Sequence, residues 1–86
     1  MIKLHILYFA SLGESLDTRE EHLTLSQANA TVQDVKILLA ARNTLWGENI
    51  LGENPLLCAV NQAIVNTSHE LNDGDELAFF PPVTGG

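Results

Sequence analysis

From Ile2 to Phe9 the chain alternates along much of its length. Ile2, Leu4, Ile6 and Tyr8 share one parity, and Lys3, His5, Leu7 and Phe9 share the other. A period of two is that of a strand, with the first set on a core and the second set beginning polar and ending apolar. Residues 10–18 contain Ser, Gly and Asp and read as a loop. In residues 20–25, Leu23 and Leu25 oppose His22 and Thr24. This predicts a second strand, antiparallel to the first through a wide hairpin.

The period changes at Thr31. Val32, Val35, Leu38 and Leu39 recur at helical spacing and form one apolar stripe suited to a sheet. Thr31-Val32-Gln33-Asp34 matches the wider capping-box pattern, and Asp34 also suits the positive end of the helix dipole. Arg42 suits the negative end. Residues 43–55 set Trp46, Ile50 and Leu51 among Gly47, Gly52 and Asn54-Pro55. They predict a long connection over one end of the core, with room for a short helical turn. Trp46 is expected to plug the core rather than stack on a ligand.

Two short apolar runs, 56–60 and 63–65, are split by Asn61-Gln62. That spacing suits a tight hairpin, although no glycine is present to ease the turn. Asn72-Asp73-Gly74-Asp75 is a turn. Residues 76–80 form the last strand, with Leu77 and Phe79 toward the core and Glu76, Ala78 and Phe80 away from it. An amphipathic helix needs a sheet to cover, so this order predicts an α+β roll. One main helix crosses a mixed sheet of four or five strands. The first and last strands, the most apolar, lie side by side at its centre.

With 86 residues there is room for one domain and one modest core. Acids outnumber bases eleven to four, giving a net charge of −7. The bases Lys3, Arg19, Lys36 and Arg42 are scattered, which argues against binding a phosphate backbone, so no nucleic-acid partner is expected. No apolar run is long enough to span a bilayer and no signal-peptide pattern opens the chain, so no membrane partner is expected either. The lone Cys58 excludes an internal disulfide. These features together predict a reducing, cytoplasmic location.

Candidate chemistry within the domain is sparse. His5, His22 and His69 do not sit at metal-ligand spacing, so no metal site is expected. Cys58 lies in an apolar run and reads as a small buried hydrophobe rather than a nucleophile. Glu20-Glu21 and Asp73/Asp75 read as solvated acids at strand starts and turns.

The carboxyl end is different. Pro81-Pro82 cannot continue a strand, because neither proline has an N–H to donate. The domain is therefore read as residues 1–80, and residues 81–86 as an extended tail reaching roughly 20 Å. The tail ends in Val83, Thr84, Gly85 and Gly86. Two glycines let a bare carboxylate thread a narrow channel. A reagent inserted into another protein's active site has this form. A frayed terminus is the alternative, though fraying has no use for a Pro-Pro stiffener. Phe9 and Phe80, joined by Ile64, are read as an outward patch at the tail's base. Such a patch would bind a partner, unless the 43–55 connection covers it.

Ala59-Val60-Asn61-Gln62 and the run Asp73-Gly74-Asp75-Glu76-Leu77-Ala78-Phe79-Phe80-Pro81-Pro82-Val83-Thr84-Gly85-Gly86 closely resemble the small subunits of molybdopterin synthase. These are ubiquitin-like sulfur carriers with a β-grasp fold. The resemblance covers nearly the whole chain. It implies that an E1-like enzyme uses ATP to adenylate Gly86, with no cofactor held permanently. The adenylate then becomes a thiocarboxylate, fed by a sulfur donor such as a cysteine desulfurase. The tail next enters the large synthase subunit and delivers sulfur to cyclic pyranopterin monophosphate. Gly86 maps onto the sulfur-bearing residue and Gly85 onto its slender approach. Phe9, Ile64 and Phe80, with Pro81, Pro82, Val83 and Thr84, fall at partner-binding positions. The protein would then donate sulfur within a sulfurtransferase complex rather than catalyse. One departure is visible: many relatives carry an arginine and a glutamate soon after the first strand, where this chain reads Leu12-Gly13-Glu14. Related alternatives are carriers for thiamine or tRNA thiolation and a conjugated modifier.

Overall fold

The computed structural model describes residues 1–82. Among these, five strands and three helices follow the chain as β1 (Ile2–Tyr8), α1 (Ala10–Leu16), β2 (Glu20–Leu25), α2 (Val32–Ala40), α3 (Thr44–Leu51), β3 (Leu57–Val60), β4 (Ala63–Val65) and β5 (Glu76–Phe80). The strands form one mixed sheet in the order β2-β1-β5-β3-β4. β1 and β5 are parallel neighbours at its centre, and the other pairs are antiparallel. This is the roll expected from the sequence, with the two most apolar strands adjacent.

The alternation in β1 and β5 works as predicted. Leu4, Ile6, Tyr8, Leu77 and Phe79 are buried on one face, where they meet Val32, Val35 and Leu39 of α2. The capping box opens α2: Asp34 N–H donates to Thr31 Oγ1 at 3.3 Å, and Thr31 N–H donates to Asp34 Oδ2 at 2.9 Å. Leu38 departs from the predicted stripe and stands 45% exposed. The helix is short, and Leu38 falls beyond the arc its sheet-facing side can cover. Arg42 also departs from expectation. It lies past the C-cap at Ala41 and reaches Glu21 on β2.

Two of the predicted connections are helices. Residues 10–16 form α1, because Leu12 and Leu16 at i and i+4 both bury in the core. The small polar residues between them had hidden that spacing. Gly13 is needed for close approach: a Cβ there would lie 2.6 Å from the Tyr8 carbonyl oxygen. Asp17, in the left-handed region at φ 50°, closes the helix. Residues 44–51 form α3, begun by the Asn43 side chain accepting from Trp46 N–H at 3.0 Å. Trp46 and Ile50, again at i and i+4, enter the core, and Trp46 plugs it as expected.

The β3–β4 hairpin turns on Asn61 and Gln62, at φ 50° and 71°. Both central residues take the left-handed conformation that such a two-residue turn requires. Asn61 offsets that strain. Its amide donates to Asp75 Oδ1 at 2.9 Å, and its carbonyl accepts from Glu76 N–H at 3.0 Å. Asp75 is buried rather than solvated, and also accepts from Asn72 N–H at 2.7 Å. Among the described residues, no helix is long and apolar enough to cross a membrane.

Candidate functional site

All three helices contribute to one core cluster on one side of the sheet. The opposite face carries the other parity, and strand register arranges it in rows. Leu7 pairs with Ala78, Ala78 with Ala59, and Ala59 with Ile64, so one apolar row crosses four strands. Beside it, Phe80 pairs with Leu57, while Phe9 N–H donates to the Phe79 carbonyl at 3.0 Å. The register thus gathers Phe9, Ile64 and Phe80 on adjacent rows of one face. Phe9 is 49% exposed and Ile64 70% exposed, while Phe80 is half-buried. Residues 43–55 do not cover this surface, because α3 packs on the helix side against α2 and α1. Leu7 and Leu57 extend the patch, while Ala59 and Ala78 on the same face are themselves buried. Sequence parity could have added Leu7 and Ala78, whereas Leu57 and Ala59 needed the register.

This face ends where the tail begins. β5 stops at Phe80, and Pro81 and Pro82 follow outside the strand, half-buried. Pro81 also lines a small cleft of about 160 Å³ with Ser11, Leu12, Asn54 and Leu56. Val83, Thr84, Gly85 and Gly86, which carry the tail's predicted chemistry, lie outside the described residues.

A half-buried network ties β1 and the edge strand β2 to the chain just beyond α2. The Tyr8 hydroxyl donates to Glu21 Oε2 at 2.8 Å, and Arg42 donates to both oxygens of the same carboxylate. Arg42 Cζ sits 4.5 Å over the Trp46 ring, whose edge meets the Tyr8 ring at 5.3 Å. Burial, reinforced by Glu21, pushes the Tyr8 phenol well above its ordinary range, so it stays a neutral donor. The hydrogen bonds from Arg42 hold the Glu21 carboxyl below its usual value despite partial burial. Glu21 is therefore a structural anchor rather than the solvated acid expected from sequence.

The remaining candidates behave as structural groups. His5 stacks on His22 at 4.8 Å and pairs with Glu20 at 2.9 Å. Among the described residues, no group of three or more His, Cys, Asp or Glu is arranged to hold a metal. Cys58 is buried, its thiol donating to the Val65 carbonyl, and burial raises its pKa. Such a thiol is a poor nucleophile.

A mixed sheet with its helices on one face and an apolar opposite face leading into the C-terminal segment defines a ubiquitin-like β-grasp protein. The chain belongs to the ThiS family, whose pattern matches residues 6–86. It is 42% identical over 86 residues to the molybdopterin synthase sulfur carrier subunit of Escherichia coli (strain K12), covering all of both chains. The putative molybdopterin converting factor, subunit 1, from Pyrococcus furiosus superposes with a TM-score of 0.79 at 27% identity, over 96% of this chain and all of that one. The H. volcanii small archaeal modifier protein 1 superposes at 0.80 and 25% identity, over 96% of this chain and 100% of its own. The family resemblance read from the tail motif is thereby borne out.

Proposed function

We propose that the protein is the sulfur carrier subunit of a molybdopterin synthase, with Gly86 as the reacting residue. Full-length similarity to a relative bearing that name is the observation that carries this reading. The terminal carboxylate attacks the α-phosphorus of ATP on an E1-like enzyme, releasing pyrophosphate and leaving a mixed anhydride with AMP. Sulfide, cut from the persulfide of a donor such as a cysteine desulfurase by a thiol reductant that is left as a disulfide, then displaces AMP, giving a thiocarboxylate. The large synthase subunit receives the tail, and sulfur passes to the pterin as water restores the Gly86 carboxylate. The domain's part is recognition. The apolar face around Phe9, Ile64 and Phe80 seats on the large subunit, and Pro81-Pro82 ends the strand pairing of β5 before the tail.

Reconstitution tests this reading. The protein, an activating enzyme, ATP, sulfide and the large subunit should convert cyclic pyranopterin monophosphate to the dithiolene. No product from a complete mixture that works with the Escherichia coli relative would contradict it.

Likeness to a protein named as a modifier favours conjugation as a second reading. In that case Gly86 would form an amide with a lysine of another protein. Mass spectrometry of cell extracts separates the two, through a terminal sulfur or a lysine adduct.

A further inference from the structure

The helix side of β2 carries an apolar feature that neither the core nor the docking face absorbs. Ile37 and Leu38 on α2 are 52% and 45% exposed, although Val35 and Leu39 beside them are buried. With Leu25, Gln27 and Asp34 they line an open groove of about 390 Å³ between α2 and the end of β2. β2 is the outermost strand on this side of the sheet. Its register decides which backbone groups face outward. Tyr8 N–H donates to the Arg19 carbonyl at 2.9 Å, so the alternate partners Ile6↔Glu21, Leu4↔Leu23 and Ile2↔Leu25 are the hydrogen-bonded pairs. Glu20, His22 and Thr24 therefore turn their N–H and C=O groups away from β1. Among the described residues, no strand pairs with that edge.

We propose that this edge and groove accept an extended segment of a partner protein, added as a strand beside β2 and alternating aliphatic with basic side chains. The backbone groups of Glu20, His22 and Thr24 supply the ladder, and side-chain parity supplies the selectivity. Every second side chain of the incoming strand falls on the helix side, where Ile37 and Leu38 offer aliphatic contact. The alternate ones fall beside Glu20, whose side chain is 63% exposed. That carboxylate and the net charge of −7 favour a basic segment. A second copy of the chain fits less well, because it would set one acidic edge against another. β1 separates this edge from β5 and the tail, so the segment can be held while the tail is engaged elsewhere.

The test titrates the isotope-labelled full chain with a short synthetic peptide alternating isoleucine and lysine. Backbone amides of Glu20, His22 and Thr24 should gain exchange protection, with shifts at the Ile37 and Leu38 methyl groups. The Ile37→Lys, Leu38→Lys double variant should keep its melting temperature and bind about tenfold more weakly or worse. A peptide of the same composition, with its lysines in one block, should not compete. Equal binding of the two peptides would overturn the proposal, as would protection gained on β4 instead. Self-association of the chain through the same amides, without peptide, would also refute it.

Discussion

Arg42 grips Glu21 with a two-pronged fork, Nη1 lying 2.8 Å from Oε2 and Nη2 2.6 Å from Oε1. The fork ties the chain just beyond α2 to the edge strand β2, and Tyr8 shares the carboxylate from β1. Planar, charge-assisted pairing of this kind is stronger than a simple surface ion pair. About a third of the Arg42 side chain still meets solvent, so the expected contribution is about 1 kcal/mol.

That pair has a pH signature. The folded pKa of Glu21 lies below its ordinary value of 4.5, chiefly through hydrogen bonds from Arg42. The pair's contribution is therefore complete above 4.5 and is lost as pH falls through the lower folded value. Glu21→Gln should lower the melting temperature at neutral pH. Its deficit relative to wild type should shrink as the pH is taken below 4.5, which scanning calorimetry across that range would register.

Gly13→Ala should destabilise by about 1–3 kcal/mol, the usual cost of forcing an atom into a packed site. The new Cβ would meet the Tyr8 carbonyl oxygen at 2.6 Å and the Thr18 carbonyl oxygen at 3.4 Å. Urea unfolding checks this. A variant as stable as wild type would mean that α1 shifts freely against β1.

Phe80→Ala should weaken binding to the large synthase subunit by about 2 kcal/mol or more, as loss of an aromatic anchor does. Phe80 is half-buried beside Leu57 on the helix-free face, so its loss should leave the core around Phe79 intact. Calorimetric titration would give the affinity, and thermal melts the stability. Unchanged affinity with a large fall in melting temperature would place Phe80 in the fold rather than the interface.

Cys58 should resist alkylation in the native protein and react once the chain unfolds. Burial both shields the thiol and raises its pKa, depleting the thiolate that reacts. Iodoacetamide labelling followed through a urea titration should track the unfolding transition. Rapid labelling of the folded protein would contradict its burial.

Much of this was legible in the sequence because strand parity is a strong signal. Ile2 to Phe9 and Glu76 to Phe80 alternate, so their buried and outward sets followed directly. The helix at Thr31 was announced by its capping box. α1 was obscured because Ser11, Gly13 and Ser15 outnumber its two anchors, and α3 because Gly47 and Asn49 interrupt its apolar residues. The pairs Leu12/Leu16 and Trp46/Ile50, each at i and i+4, were the available signal. Exposure of Leu38 and burial of Asp75 depend on neighbours distant in sequence, which local pattern does not report. The same holds for the Arg42–Glu21 fork. The docking face was read in part: Phe9 and Phe80 came from parity, while the row through Ala59 to Ile64 required the register of β3 and β4.

The central claim is that Gly86 carries sulfur at its carboxylate, and intact mass after loading tests it most directly. Incubation with the activating enzyme, ATP and a sulfur source should replace one terminal oxygen by sulfur. A chain lacking Gly86, or one extended by a single residue, should transfer no sulfur while melting as wild type does. Reacting atoms must approach to about 3–3.5 Å, and one residue displaces the carboxylate by about 3.3 Å. Full sulfur transfer by the extended protein, with its extra residue confirmed intact by mass, would contradict the carrier mechanism.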